Sequence, residues 1–429
     1  MTIYWAPLLH IYQPPTQEIE ILKTINKECY KPLFLMMEEH DNSKFCLNVN
    51  GVLIELLKEF GLGDTIDLLK NLVSENKIEI VGTGKYHPIL PLIPKKEVYH
   101  QITMNEEVNR KEFGKVWERK GFFPPELAIS SEIINIIHEF GYQWVVMSGI
   151  ACPIDWPYDK IYCSPHGLKL FFRDDILSNK ISFKQTTAKK FIKSIRKMFI
   201  SKTKDKENDR YIITAMDGET FGHHIKNYEN TFLSKVLNLI ENDDEIDDKN
   251  EKNKENIKVI FMSELANYFP ISDKKIIPRD SSWSTTYDNI LDKIPYPLWK
   301  HPENNIHKFY WKIISSLNHL IELADKLDLT ENWEVTTYYH TARYFYDRGL
   351  HSCPSWWANP LLGMWSPNLI YKGLELLMRA ALNAQLALVQ AGKDEGDSYF
   401  DSISYYHGLL LMELYTITKK NLKKEKEKF

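Results

Sequence analysis

An apolar, β-rich run from Tyr211 to Met216 breaks off into Asp217-Gly-Glu219-Thr-Phe-Gly222-His223-His224, and no other stretch limits the fold as tightly. A buried strand that at once releases two carboxylates and two histidines is a strand whose C-terminal end faces a site, as on the rim of an α/β barrel. Further β-rich runs are predicted at residues 3–10, 44–50, 77–82, 121–124, 142–148, 168–174 and 258–262. Several of them also stop at polar or special residues: His10, Asn48 with Asn50, Gly82 with Thr83, Glu126, Ser148, Arg173 with Asp174, and Ser263 with Glu264.

Between these runs, residues 52–59, 65–73 and 131–140 space their apolar side chains for one helix face. Residues 184–206 form a basic, partly amphipathic helix whose charge reads as a solvated face. Strands alternating with helices predict a parallel sheet or an α/β barrel. From about residue 304 the strand signals stop, and long helices are predicted at 306–327, 332–346, 369–391 and from 399 onward, ending in a frayed, Lys-rich tail, Lys419 to Lys428. The domain plan is therefore 1–270 as an α/β catalytic region, 271–303 as a Pro-rich connection and 304–429 as a helical region. Glu241 to Asn256 is almost wholly charged or Asn; it cannot bury enough to order itself and reads as a flexible surface insertion.

Composition narrows the function. The chain has 429 residues and a net charge of -4, without the basic footprint that nucleic-acid binding requires. No apolar window approaches the roughly 18 residues of a membrane span, and the N-terminus reads as a first strand rather than a signal peptide, so a cytoplasmic protein is expected. Five scattered cysteines without CxxC spacing support neither a disulfide framework nor a cysteine metal site. No cofactor is expected.

Asp217 and Glu126 carry the chemistry. Asp217 directly follows an apolar strand, with Gly218 and Gly222 giving the backbone tight paths beside a ligand, and Pro124 and Pro125 stiffen the approach to Glu126. Two carboxyl groups facing each other across a glycosidic bond are the equipment of most glycoside hydrolases. One attacks the anomeric carbon, and the other protonates the leaving oxygen and then deprotonates water; a separation of about 5–5.5 Å gives retention and about 6.5–9.5 Å inversion.

Four motifs stand in order: His10-Ile-Tyr-Gln13-Pro14, Gly82-Thr-Gly-Lys-Tyr86-His87-Pro88, Pro125-Glu126, and Met216-Asp217-Gly-Glu219-Thr-Phe-Gly-His223. Together they resemble glycoside hydrolase family 57, as do the later segments Ser281-Ser-Trp283 and Ser352-Cys-Pro-Ser-Trp356-Trp357. The resemblance implies an incomplete (β/α)7 barrel with helical additions, a retaining, metal-independent mechanism, and an α-linked glucan or oligosaccharide as substrate. It implies Glu126 as nucleophile and Asp217 as general acid/base, with His10 on the central sugar. Gln13, Tyr86, His87, Glu219 and His223 are the further expected substrate contacts. The chain departs from many members at Tyr12, which stands where a second histidine precedes Gln13-Pro14, at His87, which stands where glucanotransferase-like members carry Glu, and around Phe123-Pro-Pro-Glu126-Leu-Ala. These are substrate-contact positions, so the resemblance leaves the particular glucan open.

Two rival readings share these residues. His10, His87, His223 and His224 suggest a metal-dependent polysaccharide deacetylase on a related barrel, although adjacent histidines point differently and do not readily share one ion. A non-catalytic carbohydrate-binding protein is the other rival, but it has no reason to place both carboxylates at strand ends. Trp356 and Trp357 either stack on a sugar or anchor the helical region; Trp283 and Trp299 are expected to anchor the Pro-rich connection.

Overall fold

The computed structural model describes every residue except 157, 203–207, 243–255, 331 and 427–429. Most of the charged insertion at 241–256 therefore lies outside the described residues. Two compact units emerge: residues 1–13, 17–85 and 98–283 form the first, and residues 14–16, 86–97 and 284–429 the second.

Among its described residues the first unit holds ten strands: β1 (Thr2–Ile11), β2 (Phe45–Val49), β3 (Ile78–Val81), β4 (Gly121–Phe122), β5 (Trp144–Met147), β6 (Ile161–Cys163), β7 (Lys169–Phe172), β8 (Arg210–Asp217), β9 (Asn256–Val259) and β10 (Ile271–Lys275). One sheet runs β3-β2-β1-β8 with β9 also on β1, and the other runs β10-β6-β7-β5-β4. All pairs are parallel except β6 with β7. Backbone hydrogen bonds link the sheets in two places. Gly82 N donates to Gly121 O and Phe123 N to Gly82 O, both at 2.8 Å, and Asp174 N donates to Ile213 O, also at 2.8 Å. Pro7, which lacks a backbone donor, sits in β1 between the stretch paired with β9 (Thr2 to Trp5) and the stretch paired with β2 (Leu8 to Ile11).

Side chains alternate faces along a strand. Tyr4, Ala6 and Leu8 of β1, Cys46 of β2, Val81 of β3, Trp144 and Val146 of β5, Phe171 of β7, and Tyr211, Ile213 and Ala215 of β8 meet in one buried cluster. Each of these columns belongs to a single parity of its strand.

Helices α1 (Ile19–Ile25), α2 (Lys31–Glu39), α3 (Gly51–Glu59), α4 (Gly63–Ser74), α5 (Lys95–Phe113), α6 (Ser131–Glu139), α7 (Asp175–Ser182), α8 (Ala188–Lys202) and α9 (Lys235–Glu241) connect the strands. Local chemistry sets their starts: Ser130 accepts from Ile133 N at α6, and Asp174 accepts from Leu177 N at 2.7 Å at α7. The eight expected strands appear within two or three residues of their predicted ends. Missing from the expectation are β6, β10, α1, α2, α5, α7 and α9. Helix α5 escapes a search for apolar periodicity because Gln101, Asn105 and Asn109, spaced for one face, are all buried.

The second unit is helical: α10 (Tyr287–Leu291), α11 (Asn305–Ala324), α12 (Trp333–Gly349), α13 (Cys353–Trp356), α14 (Pro367–Gln390) and α15 (Asp397–Lys426), with a small hairpin of β11 (Ala358–Asn359) and β12 (Met364–Trp365). Helix α15 continues through the Lys-rich stretch as far as Lys426. Trp299 is fully buried and its carbonyl accepts from Trp311 Nε1 at 2.7 Å, the anchoring role expected of it. Arg343 of α12 spans Glu97 (3.0 and 2.8 Å) and Asp347 (2.8 Å), all of them largely buried. Replacing Arg343 by Met leaves two buried carboxylates without their cation. We expect a loss of about 3–5 kcal/mol, measured by urea unfolding followed through helical circular dichroism.

Candidate active site

The inward columns of the first unit do not stop where the core stops. Continuing each column by its two-residue period leads from Leu8 to His10, from Cys46 to Asn48, from Val146 to Ser148, from Phe171 to Arg173 and from Ala215 to Asp217. The strand registers align three of these directly, pairing His10 with Asn48 on one side and with Asp217 on the other. A polar ring thus caps the apolar core at the C-terminal ends of the parallel strands.

His10 is buried, and its Nδ1 donates to Asn48 Oδ1 at 2.5 Å. Its ring stacks on Phe123 (centroids 4.8 Å, planes 13° apart) and meets Trp283 edge-on at 6.1 Å. Burial lowers its pKa to about 4, partly opposed by Asn48, so the imidazole stays neutral at ordinary pH. Arg173 is fixed by Asp175 (Nε to Oδ1, 2.7 Å) and by Ala215 O (Nη1, 2.8 Å), and its guanidinium lies 5.4 Å from the Trp283 ring. Burial pushes the Asp217 carboxyl up to about 6, against the pull of the Arg173 charge.

Glu219 follows through Gly218, where a Cβ would lie 2.5 Å from Ile11 Cγ2. Its Oε1 accepts from Tyr30 Oη (2.6 Å), Tyr12 N (3.1 Å) and Gln13 Nε2 (3.3 Å), and Gln13 Nε2 also donates to Tyr30 Oη at 3.0 Å. Burial, reinforced by the Asp217 charge, raises Glu219 to about 7, while Tyr30 and Tyr12 N pull the other way. At Gly222 the chain takes φ +114°, and a Cβ would lie 1.9 Å from Glu28 O, so glycine is required there.

Glu126 sits in a single turn, Pro125–Leu127, with φ 60° and ψ 19°; Leu127 follows at φ 49°. Left-handed backbone at a non-glycine residue stores on the order of 1–3 kcal/mol and persists only where the surroundings hold it. Here Leu127 N donates to Pro124 O (2.8 Å), Trp283 N donates to Glu126 O (3.0 Å), and Ile129 exchanges backbone bonds with Ser281. The 281–283 segment therefore clamps the Glu126 turn. Trp283 anchors the Pro-rich connection as expected, its ring packed on the buried cluster, and that ring also lies with His10, Phe123 and Arg173.

Among the expected site residues, the first unit brings His10, Gln13, Asp217 and Glu219 into one cluster, with Glu126 on the turn that follows Phe123. His223 lies further along the loop, paired with Glu28 at 2.9 Å, and His224 is exposed. Tyr86, His87, Trp356 and Trp357 belong to the second unit. There Tyr86 packs under Arg348, His87 Nδ1 shares a 2.8 Å hydrogen bond with Ser352 Oγ, and the two tryptophans meet edge to face at 4.7 Å. Among the described residues, no cluster of three or more His, Cys, Asp or Glu has the geometry to hold a metal ion. Tyr30 is the site residue with no signal in the sequence. Asn48 and Arg173 were visible as polar strand ends, but nothing assigned them to the site.

The sequence model of glycosyl hydrolase family 57 matches residues 6–279. The chain belongs to that family. Similar proteins include an alpha-amylase of Pyrococcus horikoshii, 27% identical over 252 residues (56% of this chain, 38% of that protein), and a 4-alpha-glucanotransferase of Thermococcus litoralis, 28% identical over 231 residues (52% and 33%). The match spans about a third of the length of these relatives. Among solved structures, a family 57-type branching enzyme of Pyrococcus horikoshii superposes with a TM-score of 0.72 over 94% of both chains at 15% identity, a likeness of fold.

Family membership does not by itself say what the buried carboxylates cost. Asp217 has a folded-state pKa near 6 against an ordinary 3.8, so the folded chain binds its proton more tightly than the unfolded chain. The sign follows: the stability it contributes is present below pH 4 and is lost as pH rises through 6, about 3 kcal/mol in all. Asp217→Asn should therefore raise the melting temperature at pH 7 and change it little near pH 4, by calorimetry at both values.

Proposed function

We propose that the chain is a retaining glycoside hydrolase or transglycosylase acting on an α-linked glucan or oligosaccharide, with Glu126 as nucleophile and Asp217 as general acid/base. The observation that carries this reading is the pairing of unlike environments. Asp217 is desolvated at a strand end with its pKa near 6, able to hold a proton for a leaving group, while Glu126 is held on a strained, clamped turn. In the first step a Glu126 carboxylate oxygen attacks the anomeric carbon, the glycosidic C–O bond breaks, and Asp217 gives its proton to the departing oxygen. In the second, Asp217 takes a proton from water or a sugar hydroxyl, whose oxygen attacks the anomeric carbon and releases Glu126.

Neutral His10, its Nδ1 committed to Asn48, contacts a sugar hydroxyl. Glu219, Gln13 and Tyr30 keep the floor of the cleft in one arrangement, and Trp283 offers its ring to a sugar face. The names of the similar proteins, amylase, glucanotransferase and branching enzyme, support α-glucan as the substrate class. We read the first unit as an incomplete (β/α)7 barrel of β1, β2, β3, β4, β5, β7 and β8, supported by the hydrogen bonds at Gly82 and Asp174, and residues 1–270 as the catalytic domain. Tyr86, His87, Trp356 and Trp357 belong to this proposal as substrate contacts from the helical part, and His223 as a contact at the end of the Asp217 loop.

Chromatographic analysis of products from maltooligosaccharides and α-glucans, with and without chelator, tests it. We expect products indifferent to chelator, a fall in rate as pH rises through about 6, and losses of at least about a thousandfold in Glu126→Gln and Asp217→Asn. Activity that survives Glu126→Gln would sink the mechanism, and sensitivity to chelator would favour metal-assisted chemistry.

A further inference from the structure

Helix α15 buries one face and leaves the opposite face bare. Ile403, Leu410 and Leu414 are buried, and α11 and α14 are the helices packed on α15. Ser402 bonds Ser316 at 2.9 Å, and Tyr406 meets Phe309, which fixes which side faces α11. On the other side Tyr405 (63% exposed), Met412 (64%), Tyr415 (59%) and Leu422 (55%) stand in the open. Gly408 and Lys419, both exposed, complete the series 405, 408, 412, 415, 419, 422. These alternate steps of three and four fall in a stripe about 100° wide and about 26 Å long, the seam of a two-stranded coil rather than a scatter of surface residues. A Cβ at Gly408 would meet nothing within 4 Å, so the middle of the seam is flat and open to close approach.

Charge selects the partner. The start of α15 is acidic, with Asp397 and Asp401, and the later part is basic, with Lys419, Lys420 and Lys423. We propose that this face pairs with the same face of a second copy of the chain, antiparallel, about a two-fold axis at Met412. Asp401 then lies opposite Lys423 of the other copy, and Tyr405 lies opposite Lys419, placing the ammonium on an aromatic face. Parallel pairing would set acid against acid and base against base. Lys419 within the apolar seam disfavours other registers, as a lone polar residue does in coiled coils. The contact is isologous, so it closes at two chains.

Sedimentation velocity over about a hundredfold range of concentration tests this. The full chain should reach the mass of two copies. Met412→Glu, on an exposed position, should sediment as a monomer with unchanged circular dichroism and melting. Asp401→Lys should weaken association at least about tenfold, and the double exchange Asp401→Lys with Lys423→Asp should restore it. Under oxidation Met412→Cys should cross-link to its own counterpart and Tyr405→Cys should not; parallel helices would cross-link both. The proposal is overturned by a chain that stays monomeric throughout, by a dimer indifferent to Met412→Glu, or by a monomer that binds anionic vesicles through this helix.

Discussion

Everything in the first unit depends on the two-residue period of its parallel strands. One parity of β1, β2, β5, β7 and β8 carries the apolar core, and the next position of the same parity carries His10, Asn48, Ser148, Arg173 and Asp217. A one-residue slip in any of these strands would turn a functional group outward and bury its neighbour on the wrong face. Core packing and site assembly are thus one constraint, and it is enforced by the register of β1 with β2 and β8, where His10, Asn48 and Asp217 stand side by side.

The site built on that frame is held against electrostatic and steric preference. Asp217 and Glu219 are both desolvated, and Glu219 also sits in the field of Asp217, which keeps two carboxyls protonatable close to neutral pH. Glu126 occupies left-handed backbone that Pro124, Pro125 and the 281–283 segment hold in place. Glycines at 218 and 222 give the turn after β8 its close approach to Ile11 and Glu28. Such features lower stability, and they persist because the surrounding core over-determines them.

The sequence made much of this legible. Apolar runs that end in polar residues mark eight strands and five of the ring positions, and the order of the motifs points to the family. Less visible were groups brought in by tertiary folding. Tyr30 comes from a π-helical turn, Asn26–Tyr30, between α1 and α2, with nothing in its neighbours to set it apart. Trp283 was legible as a loop anchor but not as a neighbour of the site, because that place arises from a backbone bond to Glu126 and ring contacts with residues more than a hundred positions away. Helix α5 packs amides inward, so its face is coded by hydrogen bonding, as between Asn105 Oδ1 and Gly51 N, and not by hydrophobicity.

The central claim is that Glu126 forms a bond to the sugar, and trapping that bond tests it most directly. An activated α-maltosyl fluoride incubated with Asp217→Ala should glycosylate the enzyme, because fluoride leaves without a proton, while release of the sugar is slowed for want of a base. Peptide mass spectrometry should then place a glycosyl adduct on the peptide that contains Glu126. An adduct on another carboxylate such as Glu219, or turnover by the unaltered chain with inverted anomeric configuration, would contradict the account.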